Sequence, residues 1–320
     1  MSFKDIKGQA RPIEILKKYL GQSRVNAGYL FSGPEGIGKK LAANTLAKAV
    51  NCLESGEYDA CDKCISCQKI DRSGHPDVHF IESGDAEIKI ENIRQLQKDI
   101  SFRPYEGRVK VFIIDNAHKL NPEASNCLLK ILEEPPRQSL IILVSDKPAM
   151  LFKTIISRCK QVKFYPMPRN ELQEILRKDY ALEGEMAHFL AYFSEGRIGC
   201  ALRIKDTQIL RDKNAVIDKL LLSARPGMDQ LPMQNKEDLK RYLNILATWF
   251  RDIYLIKIGI PHQELINHDR KDELLKYMGR FTFMDLNEIM ASISDSILYL
   301  DQNINARLLM HNIGAQLWKG

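Results

Sequence analysis

The sequence predicts an α/β core, a parallel sheet with a phosphate-loop-type turn, carrying a four-cysteine knuckle and followed by all-helical parts. Three observations predict it. Strand and helix signals alternate over roughly the first 165 residues. Four of the seven cysteines crowd between Cys52 and Cys67. After Pro168 the strand signals stop, and from about residue 208 the chain reads as helix. The expected division is 1–166 for the core, 167–206 for a small helical domain, and 207–320 for a second helical domain.

YLFSG (Tyr29 to Gly33) is a short apolar run ending in glycine, hence a buried strand entering a turn. KLAANTLAKAVNC then has helix-forming composition. DVHFIE (Asp77 to Glu82) reads as a strand. IENIRQLQKDISF repeats apolar residues at Ile90, Ile93, Leu96 and Ile100, which is a helical period. RVKVFIIDNAH carries a continuous apolar run that stops at Asp115. NPEASNCLLKILEE follows, with Asn121 as N-cap and Pro122 at the first helical position. SLIILVS (Ser139 to Ser145) and QVKFYPMP supply two further strands. Alternation of this kind implies a parallel sheet with helices on both faces.

Behind the core, residues 169 to about 205 predict three short helices broken near Gly184 and Gly196. RPGMDQLPMQNKED (Arg225 to Asp238) reads as a loop. LKRYLNILATWFRDIYLI places Leu239, Leu243, Leu246, Trp249, Phe250 and Ile253 on one face. Arg241, Thr248, Arg251 and Asp252 fall on the other, expected to be solvated.

The turn between the first strand and its helix is GPEGIGKK, Gly33 to Lys40. Gly33, Gly36 and Gly38 free the backbone to wrap phosphates, and Lys39 is placed to reach them. A working loop of this pattern carries Ser or Thr next, to hold Mg²⁺. Here the position is Lys40, whose ammonium cannot ligate a cation. Asp115 is a candidate metal-orienting carboxylate on a second strand. Its neighbour is Asn116, which cannot take a proton from water. Two catalytic parts are replaced in one chain, so hydrolysis of ATP with Mg²⁺ is not expected at this site. Either a nucleotide binds with weakened metal coordination, or the loop is a retained shape that binds none.

Cys52, Cys61, Cys64 and Cys67 give C-x₈-C-x₂-C-x₂-C. Two overlapping C-x₂-C steps let thiolates converge on one tetrahedral ion, so structural Zn²⁺ is the expected cofactor and a redox pair the rival. His75 and His79 are read as non-ligands. Arg158, in TIISRCKQ, falls between a helix and a strand. It is either an ion-paired surface residue or a planar cation offered to a neighbour's phosphate; the residues alone leave both open.

The chain has 44% hydrophobic and 28% charged residues, a net charge of +6 and a pI of about 8.8. No apolar run approaches the ~18 residues of a membrane span, and MSFKDIKGQARPIEILKKYL lacks a signal-peptide core. The expectation is a cytoplasmic protein with no membrane partner. A free-standing zinc-bearing nucleic-acid module disagrees with so modest a charge.

Together GPEGIGK, the cysteine knuckle followed by SGHPDV, the segment ENIRQLQKDISFRPYEGRVKVFIIDNAHKLNPEASNCLLKILEEPP, and TIISRC resemble bacterial clamp-loader subunits of the AAA+ class. The resemblance covers residues 5 to about 205 well and the rest more weakly, through TWFRDIYLIKIG. It implies that 167–206 is a lid and 207–320 a collar that joins a hetero-pentameric ring. The partners it implies are motor (gamma/tau) and delta subunits, with the sliding clamp and primer–template DNA reached through the complex. It implies that Arg158 projects into a motor subunit's ATP site. A motor subunit of this family would carry Thr at Lys40, Glu at Asn116 and an arginine about where Gly199 stands. The absence of all three implies the non-hydrolysing member, with a motor subunit as the alternative.

Overall fold

A computed structural model describes residues 1–21, 26–54, 56, 58–82, 84, 86–222, 236–301, 309, 313 and 314. The chain divides into two compact units, Met1–Pro168 with Gly196–Cys200, and Arg169–Glu195 with Ala201–Gly320.

The first unit is built on β1 (Ala27–Ser32), β2 (Val78–Ile81), β3 (Lys110–Ile114), β4 (Ser139–Ser145) and β5 (Cys159–Lys163). They form a five-stranded sheet in the order β2-β3-β4-β1-β5, and every pairing is parallel. The apolar runs explain why. A strand buried on both faces needs no polar alternation, and β3 and β4 are buried along their whole length. Successive side chains serve opposite cores. Phe31, Val111 and Ile142 join one apolar cluster; Leu30, Phe112 and Ile141 join the other.

The helices of this unit are α1 (Ala10–Gly21), α2 (Lys39–Asn51), α3 (Ile65–Asp71), α4 (Ile90–Ile100), α5 (Pro122–Glu133) and α6 (Lys153–Arg158). The amphipathic period of α4 buries Ile93, Leu96 and Ile100. Asn121 caps α5, its side chain accepting from Ala124 N at 2.8 Å, with Pro122 in the first turn.

In the second unit α7 (Arg169–Tyr180) and α8 (Gly184–Phe193) come first. After α9 (Ile198–Ile204), which begins in the first unit, come α10 (Ile209–Val216), a π-helical turn (Ile217–Leu222), α11 (Lys236–Lys257), α12 (Lys271–Met278) and α13 (Phe283–Asp301). The predicted loop at 225–238 lies outside the described residues as far as 235, and Lys236 already belongs to α11. The apolar face of α11 is buried as its period requires, but Thr248 and Asp252 are buried too. Asp252 accepts the backbone N–H groups of Ile266 (3.1 Å) and Asn267 (2.7 Å) and the Asn267 side chain (2.8 Å). Helical period assigns charge to the outside; here a passing turn needed an acceptor, and that need prevails. Among the described residues no helix is long and apolar enough to cross a membrane.

Candidate functional site: a phosphate-type loop, a cysteine knuckle and Arg158

The loop Gly33–Gly38 leaves β1 at the C-terminal edge of the sheet. Gly36 and Gly38 take φ of +78° and +97°, the left-handed region that L side chains avoid. A Cβ on Gly33 would lie 2.4 Å from Phe164 O, and one on Gly36 would lie 2.6 Å from Cys200 Sγ. The segment Gly196–Cys200 therefore packs directly on the loop, and Gly199 N donates to Gly36 O at 2.7 Å.

Lys39 bends back on its own loop. Its Nζ donates to Gly33 O and Pro34 O, both at 2.6 Å. Burial lowers its pKa, and the nearby charges of Asp146, Asp115 and Glu35 offset part of that. Lys40 Nζ sits 2.6 Å from Glu82 Oε1 and 3.6 Å from Asp115 Oδ2. Burial lowers its pKa, but the hydrogen bond and charge of Glu82, with Asp115, outweigh burial and leave the group above its usual value. Asp115 thus faces an ammonium. Asn116 adopts φ of +51°, a conformation asparagine tolerates, and its N–H is bonded to Asp115 Oδ1 at 2.9 Å.

The structure brings together Gly33, Gly36, Gly38 and Lys39, and sets Lys40 against Asp115. Sequence reasoning missed Glu82, which pairs with Lys40 at 2.6 Å, and Asp146, whose charge offsets part of the burial of Lys39. Their signal was present: each follows a strand, in DVHFIE and SLIILVSD, and strand ends at this edge face the loop.

The ligand atoms of Cys52, Cys61, Cys64 and Cys67 lie within 4.8 Å of one another. Cys52 ends α2 and Cys64 caps α3, accepting from Cys67 N. Cys52 Sγ and Cys64 Sγ are 3.9 Å apart, close to the ~3.8 Å that two sulfurs ~2.3 Å from a tetrahedral ion would show. Backbone N–H groups point at the sulfurs: Cys61 N to Cys52 Sγ at 3.4 Å and Cys64 N to Cys61 Sγ at 3.2 Å. Burial raises the Cys64 thiol, but N–H donors from Cys67 and Leu53 and the neighbouring thiols bring it down to about 6. Four thiols so placed fit a metal ion with every position filled by protein. His79 stacks on Phe112 instead, at 4.7 Å between ring centroids.

Arg158 closes α6 immediately before β5. Its Nη2 is 2.7 Å from Glu133 Oε1, and Nη1 donates to Thr154 O at 3.1 Å. Cys159 pairs with Gly28, near the start of β1, whereas the loop leaves from the end of β1. Five residue steps of strand separate the two ends, about 17 Å at about 3.3 Å each. Arg158 and the chain's own phosphate-type loop therefore stand at opposite edges of one sheet.

A five-stranded parallel sheet with this loop, a cysteine knuckle and a helical second unit defines a clamp-loader-like α/β protein. The family model described as "DNA polymerase III, delta subunit" matches residues 8–168, and its C-terminal counterpart matches 210–315. The chain belongs to that family, among the clamp-loader subunits of DNA polymerase III. It is 29% identical over 323 residues to DNA polymerase III subunit delta' of Bacillus subtilis (strain 168), covering 98% of this chain and 97% of that protein. It is 34% identical over 213 residues to DNA polymerase III subunit tau of Escherichia coli (strain K12), covering 65% of this chain and 33% of that protein. Among solved structures, a DNA polymerase III gamma subunit-related protein from Thermotoga maritima shares the fold, with a TM-score of 0.51, 17% identity, and coverage of 96% of this chain and 98% of that one.

Proposed function

We propose that this chain is the non-hydrolysing, delta-prime-type subunit of the DNA polymerase III clamp loader. In a cytoplasmic hetero-pentameric ring it joins motor (gamma/tau) and delta subunits and helps set a sliding clamp on primed DNA. Residues 1–166 form its AAA+ core, 167–206 its lid and 207–320 its collar, and the knuckle holds structural Zn²⁺.

The Lys40–Asp115 contact carries the reading: the place of a metal-binding hydroxyl and its carboxylate is taken by an ammonium and its counter-ion. Two further observations support it. Asn116 offers no general base. A Cβ on Gly199 would lie 2.8 Å from Gly36 O, so the backbone has no room for the arginine a motor subunit carries there. The chain's contribution to chemistry is Arg158, lent across a subunit boundary. A cation at the sheet edge opposite its own loop can meet only another molecule's phosphates.

The test is reconstitution with motor and delta subunits. Arg158→Ala is expected to leave the ring assembled and to lower DNA-stimulated hydrolysis at the site it serves by about 10³, while the isolated wild-type chain shows no turnover. Brisk, Mg²⁺-dependent hydrolysis by the isolated chain would make it a motor subunit instead.

A further inference from the structure

The geometry points to Glu133 as the positioning residue that aims Arg158, an inference that rests on the finger reading just proposed.

Glu133 is the last residue of α5 and Arg158 the last of α6. Both tips leave one core. Leu132 and Ile155 are buried in the same apolar cluster as Cys159. Leu132 lies so close to Gly28 that a Cβ there would come within 2.5 Å of Leu132 Cδ2. The backbones carrying the two side chains are thus fixed by packing, while the side chains themselves, 50% and 36% exposed, reach the surface.

An arginine at a helix end has four rotatable bonds and needs something to aim it. Two contacts do so: Glu133 Oε1 at 2.7 Å on Nη2 and Thr154 O at 3.1 Å on Nη1. They engage two of the five N–H groups that a guanidinium carries and hold its plane at both forks. Thr154 O is a helix carbonyl that any residue there would supply. Glu133 is the side chain that supplies the second point. An exposed ion pair of this kind is weak, so the carboxylate can share the fork with an incoming phosphate oxygen. Its effect lies in orientation, and it touches no substrate itself.

The experiment uses the reconstituted ring with primed DNA and four forms of this chain: Glu133→Ala, Glu133→Gln, Arg158→Ala and the double variant Glu133→Ala/Arg158→Ala. Melting temperature is measured alongside to confirm that each is folded. Glu133→Ala is expected to lower kcat at the served site about 10-fold, the effect of a catalytic group held loosely, with KM for ATP unchanged. Glu133→Gln keeps a carbonyl acceptor and is expected to stay close to wild type. The double variant is expected to match Arg158→Ala, because an aimless glutamate has nothing left to position. If Arg158→Ala depresses turnover but Glu133→Ala does not, or if the two losses multiply, the positioning role is overturned and the finger stands. A rise in kcat with Glu133→Ala would also overturn it, making the carboxylate a restraint. If Arg158→Ala itself changes nothing, the finger reading falls and this inference with it.

Discussion

Lys40 and Asp115 face each other across the loop at 3.6 Å, with Glu82 gripping the same ammonium at 2.6 Å. A divalent ion next to Asp115 would have to displace a positive charge tethered by two carboxylates. Shortening that side chain while restoring the hydroxyl should therefore restore metal dependence but not catalysis. Lys40→Thr is expected to bind ATP about 10-fold more tightly with Mg²⁺ than without it. The wild type should show no such difference, and the variant should still fail to hydrolyse, because Asn116 remains. Titration with a fluorescent ATP analogue, with Mg²⁺ and with chelator, reads both quantities. Equal Mg²⁺ dependence in the two proteins would refute the account.

Asp77 is wholly buried and accepts three backbone N–H groups, Tyr105 at 2.7 Å and Glu106 and Gly107 at 2.8 Å. Burial raises its pKa, but these donors and the Lys110 charge outweigh burial, so the folded carboxyl sits below its ordinary value. An acid depressed on folding stabilises above its unfolded pKa, about 3.9. That contribution is lost as pH falls through the lower folded value. Asp77→Asn is expected to cost about 1–3 kcal/mol at pH 7, one charge-assisted acceptor being lost. The gap to wild type should narrow below about pH 4. Urea titrations at pH 7 and pH 3 check it; a gap independent of pH would mean the carboxylate charge is idle.

Much of this was legible because burial writes itself locally. A run such as SLIILVS, short, rich in β-branched residues and preceded by prolines, reads as a buried strand, and β4 spans those residues. The cysteine spacing likewise announced convergence, since two C-x₂-C steps constrain the backbone by themselves. The partners of the key charges were harder. Lys40 and Glu82, or Arg158 and Glu133, are distant in sequence, and their meeting depends on strand order, which no local pattern encodes. Asp252 was misplaced for a related reason. Its helical phase put it among solvated residues, and only the turn at Ile266 and Asn267 gives its carboxylate a buried use.

Gly199 lies inside a helical stretch, Ile198–Ile204, where alanine would ordinarily be favoured over glycine by about 1 kcal/mol. Here a Cβ would stand 2.8 Å from Gly36 O and 3.2 Å from Gly36 Cα. The obstacle is backbone, held by the hydrogen bond from Gly199 N itself, so it cannot turn aside cheaply. Steric cost should override propensity. Gly199→Ala is expected to destabilise by about 1–3 kcal/mol, the scale of overpacking a close contact. Chemical denaturation measures it, and a stabilised variant would show that the segment yields freely.

The knuckle is tied to the start of the chain through Asp59, a buried carboxylate that accepts Phe3 N at 2.8 Å and lies 3.6 Å from Lys17 Nζ on α1. Phe3 is itself buried, 1% exposed. Asp59 sits within the stretch bounded by Cys52 and Cys67, whose own apolar cluster is small, so on the zinc reading proposed above its shape is expected to depend on the ion. Removing the ion should loosen more than the knuckle. The wild-type chain is expected to carry one Zn²⁺, and Cys64→Ser or strong chelation to release it. Hydrogen exchange should then quicken over residues 52–67 and also over Phe3 and α1, while α11, packed in the other unit, keeps its protection. Elemental analysis finding no metal in protein purified without chelator would end the zinc assignment. Exchange confined to 52–67 would show that Asp59 does not transmit the change.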